Sequence, residues 1–225
     1  MHEEPTQEAG FIVRLAFVIA IGAAVAGVWF GMDYWVPATA RPIAEVVLKT
    51  GTKLPNPRPL QPFTLTDQDG QPLTLDSLRG HWTFLAIGYT ACPDICPTLM
   101  ATFVAVARQI TPSGAKPAAN FLFVSVDPER DTPQHLAEYV HYFSPDFRGG
   151  TGSDDALQAF TRQLGLLYQR VAMPESALGH VVDHSSSILL IDPEARLSAI
   201  FSAPHDPQAI ATDFGVVVAD HPPKS

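Results

Sequence analysis

Apolar positions fall along this chain in one long block, several short blocks and several periodic stretches, and each kind predicts a different element. Residues 15–32 form an uncharged apolar run with Arg14 at its start. That length spans a bilayer core, near the lower limit. Trp29, Phe30, Tyr34 and Trp35 gather at its far end, where aromatic rings favour the headgroup interface. The pattern predicts a short N-terminal tail over 1–10 and a single transmembrane helix over 11–35. Arg14 is the only Lys or Arg ahead of the run, which orients the N-terminus inside and the remainder of the chain outside. Ala38-Thr39-Ala40 has the small-x-small form of a signal cleavage site, but the run exceeds the roughly 7–15 residues of a signal core. A retained anchor is the expectation.

Residues 36–61 carry Pro37, Pro42, Pro55, Pro57 and Pro59 without apolar periodicity. They predict a stiff tether, and a folded domain over 62–221. Phe63-Thr64-Leu65-Thr66 and Pro72-Leu73-Thr74-Leu75 flank an Asp69-Gly70 pair and read as a hairpin. The blocks Trp82-Thr83-Phe84-Leu85-Ala86-Ile87 and Phe121-Leu122-Phe123-Val124-Ser125-Val126 are unbroken and β-rich, as in strands covered on both faces. Helical spacing places Leu99, Phe103, Val106 and Ile110 on one face, and Leu136, Val140 and Phe143 on another. Thr132-Pro133 starts the second of these helices. Ser153 caps a third, with Leu157, Phe160 and Leu164 inward and Gly165 at its end. Ser187-Ile188-Leu189-Leu190-Ile191 and Leu197-Ser198-Ala199-Ile200-Phe201 predict a second hairpin. Asp206-Pro207 opens a last helix burying Ile210, Phe214 and Val217 or Val218. Hairpin, β, α, β, α, α, hairpin, α is the order of an α/β thioredoxin-like sandwich with an N-terminal β-hairpin.

The chain has 225 residues, 46% of them hydrophobic, and a formal charge of −9. One domain with a full core fits that size. With no basic cluster, nucleic acid is excluded as an expected partner, because phosphate neutralisation needs clustered Lys and Arg.

The only two cysteines, Cys92 and Cys96, stand between the first buried strand and the helix after it. Pro97 suits a first helical turn. Cys96 then lies near the helix N-terminus, where backbone donors and the dipole predict a lowered thiol pKa. The separation suits a shared metal ion or a disulfide; a structural disulfide closing a short loop is the plainer alternative. His184 precedes the next core strand, on the edge that carries the cysteines. Two thiolates and an imidazole make a trigonal soft site, for which Cu(I) is the best fit. His180 is a substitute further from the strand. Asp127 and Asp131 follow the second buried strand and are candidates to orient the site or dock a partner, with helix capping as the alternative. Asp183 is a candidate acceptor for the His184 imidazole. Asp94 lies between the cysteines, either tuning the charge or in solvent.

Three ordered blocks carry a specific resemblance: Gly88-Tyr89-Thr90-Ala91-Cys92-Pro93-Asp94-Ile95-Cys96-Pro97-Thr98, then Ser125-Val126-Asp127-Pro128-Glu129-Arg130-Asp131-Thr132-Pro133, then Val182-Asp183-His184-Ser185. Together they resemble the signature of the Sco/SenC family, from about Pro62 to the last helix. The resemblance implies a membrane-anchored, thioredoxin-like copper chaperone. Its C-terminal domain is expected on the periplasmic or equivalent outer side of the inner membrane. It implies copper held by Cys92, Cys96 and His184, and service to the binuclear copper site of cytochrome c oxidase subunit II. Other copper chaperones or thiol reductants are implied as partners that load and reduce it. One departure is Ile188, where the family often has an aromatic residue.

The competing class is an enzyme, a thiol–disulfide oxidoreductase acting on an exported partner. Against it, three residues separate the cysteines where redox thioredoxins have two. Ser185-Ser186-Ser187 also occupies the approach where those enzymes place a proline.

Overall fold

In chain order the computed structural model contains α1 (Gln7–Trp35), β1 (Gly51–Pro59), β2 (Thr64–Asp67), β3 (Pro72–Thr74), a 3-10 turn (Leu75–Leu78), β4 (Thr83–Gly88), α2 (Ile95–Ile110), β5 (Asn120–Ser125), α3 (Pro133–Phe143), β6 (Arg148–Thr151), α4 (Asp154–Leu164), β7 (Tyr168–Met173), β8 (Gly179–His184), β9 (Ile188–Ile191), β10 (Arg196–Phe201) and α5 (Pro207–Ala219). It describes residues 7–35, 47–111, 118–173, 175 and 179–221, with α1 side chains described for Arg14 and residues 16–29. The chain divides into two units, Met1–Glu45 and Val46–Ser225.

The first unit holds α1, which extends the predicted apolar run at both ends. Among the described residues no helix is long and apolar enough to cross a membrane. The cleavage-like Ala38-Thr39-Ala40 lies outside the described residues.

The second unit is built on one sheet of order β1-β10-β9-β4-β5-β6-β2-β3. The predicted apolar blocks are its centre: β4 is buried at every position and pairs in parallel with β5. Aromatic rings fill the layer beside them. Phe84 stacks on Phe121 at 5.2 Å, and Phe103 and Phe147 pack against Phe121 at 5.2 and 5.0 Å. Each such buried ring stabilises the domain by roughly 1.5–3 kcal/mol. The predicted caps are all formed. Thr132 and Ser153 accept from the amides of His135 and Ala156, Gly165 ends α4 at φ 74°, and Asp206 accepts from two amides of α5.

The expected tether requires a correction. Residues 51–59 form β1, which pairs antiparallel with β10, so the folded unit begins well before residue 62. Pro55, Pro57 and Pro59 lack ladder donors, which confines them to an edge or a bulge. β1 supplies both, being at the sheet edge and shifting register between Lys53 and Arg58. The buried Asp213 of α5 secures its entry, accepting from the amides of Lys49, Thr50 and Gly51 at 2.7, 2.9 and 3.2 Å.

Three further strands lie outside the predicted order. β6, Arg-Gly-Gly-Thr, runs parallel to β5 and antiparallel to β2. It carries no apolar signal because its glycines accommodate neighbours: a Cβ on Gly149 would stand 2.5 Å from Leu136, and one on Gly150 2.6 Å from Leu73. Ahead of the predicted second hairpin, residues 179–184 form β8, which makes a separate two-stranded ribbon with β7 and ends on His184.

Candidate metal centre

β4 delivers the chain to the site. After Gly88 the backbone turns, with the Cys92 amide donating to the Tyr89 carbonyl at 3.3 Å, and α2 begins at Ile95. Cys92 therefore stands on the loop and Cys96 in the first helical turn. Both sulfurs are unbonded and buried, Cys96 completely. Gly88 makes this possible: a Cβ there would stand 2.7 Å from the Cys96 sulfur.

The ribbon brings the imidazole. His184 Nε2 lies 3.4 Å from Cys96 Sγ, and Nδ1 lies 3.0 Å from the Ser185 carbonyl oxygen. A carbonyl only accepts, so Nδ1 carries the proton and Nε2 presents its lone pair to the sulfurs. The two sulfurs and an imidazole nitrogen all lie within 4.8 Å of one another. A trigonal ion with metal–sulfur bonds of roughly 2.3 Å needs donors about 4 Å apart. The donors thus need to shift by less than about 1 Å, and their softness matches a thiophilic ion.

The two thiols differ, and not as the sequence predicted. Burial disfavours the Cys92 thiolate but is outweighed by hydrogen bonds from the amides of Asp94, Cys96 and Ile95 and from the Cys96 thiol, so its pKa is lowered. Burial pushes the Cys96 thiol strongly up, against a hydrogen bond from the Tyr89 backbone, and charge at Cys92 and Asp131 raises it further. The open N-terminal amides of α2 thus serve the sulfur on the loop before the helix, while complete desolvation governs the sulfur inside it.

The three aspartates divide sharply. Asp131 is fully buried and accepts from the Thr90 amide at 2.9 Å, the Thr90 hydroxyl at 2.5 Å and the Ser125 hydroxyl. It ties the cysteine loop to the end of β5. Asp127 is equally buried and faces the ribbon. It pairs with Arg130, accepts from His180 Nε2 at 3.0 Å, and lies 3.8 Å from Arg170 Nε. Arg130 also donates to the His180 carbonyl at 3.1 Å and sits over the Tyr89 ring at 5.5 Å, while that ring meets His184 edge-on at 6.0 Å. His180 is thereby part of a clamp. Asp183 does not reach the imidazole, which is a correction: adjacent strand residues point to opposite faces, and Asp183 is exposed. It lines an open cleft of about 510 Å³ with His184, Ser185 and Leu167. Asp94 is exposed, and its side chain caps nothing.

Thr90, Ser125, Arg130 and Ser185 lie within the three signature blocks, where their types alone assign them no role, and Arg170 lies outside those blocks with no local signal of its own. Asp192, Glu194 and His221 also lie within 4.8 Å of one another. There Arg196 already neutralises both carboxylates, at 2.7 and 3.0 Å.

The comparisons match this architecture. The SCO1/SenC family model matches residues 52–219. Protein SCO1 homolog 1, mitochondrial, of Arabidopsis thaliana is 36% identical over 156 residues, covering 69% of this chain and 45% of that protein. The chain thus spans about half the length of that relative. The crystal structure of Arabidopsis thaliana ScoI with copper bound superposes with a TM-score of 0.66 at 33% identity, covering 72% of this chain and 98% of that one. Bradyrhizobium japonicum ScoI with copper bound gives 0.61 at 33% identity, covering 69% and 96%. The thioredoxin-like sheet, the paired cysteines after its central strand and the ribbon histidine stand in one chain with a match across most of its length, and this chain belongs to the SCO1/SenC family.

Proposed function

We propose that this protein is a membrane-anchored copper chaperone that matures the binuclear copper site of cytochrome c oxidase subunit II. It binds copper through Cys92 Sγ, Cys96 Sγ and His184 Nε2. The convergence of these three donors within 4.8 Å carries the reading, and the copper-bound relatives support it. A three-donor site leaves room for an incoming ligand, so a partner offering more donors takes the ion by stepwise exchange. Asp131 and Asp127 hold the two halves of the site, and Asp183 sits where a partner docks beside His184. The uncharged run over 15–32 supports an inner-membrane anchor, with Arg14 directing the C-terminal domain outward.

Anaerobic Cu(I) titration of the reduced chain tests the reading, with X-ray absorption counting the ligands. The expected result is one copper bound by two sulfurs and one nitrogen. His184→Ala should retain the sulfurs, lose the nitrogen and stop oxidase maturation in cells. Unchanged binding and maturation in His184→Ala would remove the imidazole from the site. A second reading, dithiol exchange, is favoured by the opposite pKa shifts of the two thiols, which suit an attacking Cys92 and a resolving Cys96. Loss of exchange with a model disulfide in His184→Ala would move that reading to first place.

A further inference from the structure

His205 belongs to none of the three sequence blocks, yet it reaches the loop that carries the imidazole ligand. It follows β10, and the next residue, Asp206, caps α5 by accepting from the amides of Gln208 and Ala209 at 2.9 and 3.2 Å. The backbone under His205 is thus fixed at a helix start. Its Nε2 lies 2.8 Å from the Ser186 carbonyl oxygen, whereas its Nδ1 is buried without a partner. A carbonyl only accepts, so Nε2 carries the proton and donates the bond. Ser186 belongs to the three-serine loop between β8 and β9. The residue before it, Ser185, presents the carbonyl that accepts from His184 Nδ1 at 3.0 Å. Leu167 holds the other flank. The Ser185 amide donates to its carbonyl at 2.9 Å, and its amide donates to Ser185 Oγ at 3.0 Å. A recess of about 390 Å³ brings His205 and Ser186 beside Asp94, Ile95 and Thr98 at the start of the cysteine helix.

We propose that His205 is a positioning residue for copper capture: by holding the Ser186 carbonyl it fixes the Ser185–Ser186 backbone, and so keeps the His184 imidazole protonated at Nδ1 with Nε2 turned to the sulfurs. The inference rests on the copper-binding reading above. Without the His205 donor the Ser186 carbonyl is released, and the Ser185 carbonyl beside it is free to rotate away from His184 Nδ1. Either ring nitrogen then carries the proton. A ring protonated at Nε2 has no lone pair there to offer the metal.

The test uses the full-length reduced chain and two polar substitutions. Glutamine places its amide nitrogen where Nε2 stands, and asparagine places it nearer Nδ1. His205→Gln should therefore keep the bond to Ser186, and His205→Asn should lose it. Nitrogen NMR of the metal-free chain reads the His184 tautomer, and competition with a chelator reads Cu(I) affinity. In His205→Asn the His184 ring should become a mixture of tautomers. Affinity should fall about ten-fold, the lower end of the range for residues that orient a ligand. His205→Gln should match the wild type in both. In a His184→Ala background His205→Asn should change affinity by less than about two-fold, because the ligand it positions is gone. Wild-type tautomer and affinity in His205→Asn overturn the inference. So does an equal loss in the His184→Ala background, which would mean that His205 acts through the fold or the sulfurs. A loss in His205→Gln as large as in His205→Asn overturns it too. A wild-type chain that takes up no copper overturns the chaperone reading and this inference with it.

Discussion

Asp127→Asn tests how the site is held rather than what binds the metal. The carboxylate is fully buried, and its partners Arg130, Arg170 and His180 are 23%, 24% and 19% exposed. Breaking a buried ion pair by removing one partner costs about 3–5 kcal/mol. Here the cationic partners retain some solvent, and asparagine keeps one acceptor oxygen, so the loss should be about 2–3 kcal/mol. It falls on the β7–β8 ribbon, because Arg170 and His180 belong to its two strands. The ribbon keeps its buried Val182 and the bond from the Ser185 amide to the Leu167 carbonyl at 2.9 Å. It should therefore loosen without separating from the rest of the domain. Copper affinity should fall 10- to 100-fold, the usual effect of removing a residue that orients a ligand. Hydrogen exchange of the ribbon amides should accelerate while β4 and β5 stay protected. Unchanged ribbon exchange with unchanged copper affinity would refute the clamp. Equal loss of protection across β4 and β5 would show that Asp127 holds the whole domain.

Two other outcomes follow from the corrected features. A chain beginning at Pro62 loses β1 and leaves the buried Asp213 carboxylate without its amide donors. It should be less stable than one beginning at Val47 by at least about 3 kcal/mol in urea unfolding, and equal midpoints would contradict the placement of β1. The lowered pKa of Cys92 makes its thiolate present below the ordinary thiol range of about 8.5 and lost only as pH falls through the lower folded value. At pH 7 iodoacetamide should therefore modify Cys92 faster than a cysteine peptide. Cys96, held protonated by burial, should react in Cys92→Ser only on unfolding, and mass spectrometry after timed quenching reads both.

The sequence alone determined whatever depends on local pattern. Short unbroken apolar blocks rich in β-branched and aromatic residues read as central strands, and β4, β5 and the β9–β10 hairpin follow from them. Thr132, Ser153, Gly165 and Asp206 punctuate helices by chemistry that acts within three residues of chain. The cysteine pair, the aspartate block and His184 were visible because their residue types and order are specific.

Only the tertiary structure decided what depends on neighbours distant in sequence. The middle of β6 is Gly149-Gly150, which has no side chains to signal a strand; Leu136 and Leu73, from α3 and β3, fill the space over them. β1 is a strand because β10 offers an edge that tolerates proline and Asp213 receives its amides. The β7–β8 ribbon is clamped to the site because Arg170 and His180, one from each strand, meet the buried Asp127 carboxylate. The order of the two thiol pKa values was inverted for the same reason. A helix N-terminus is a local feature and favours a thiolate nearby. Complete burial of Cys96 between Gly88 and Phe123 is a property of the packed sheet, and desolvation of a charge outweighs the pull of a few backbone dipoles.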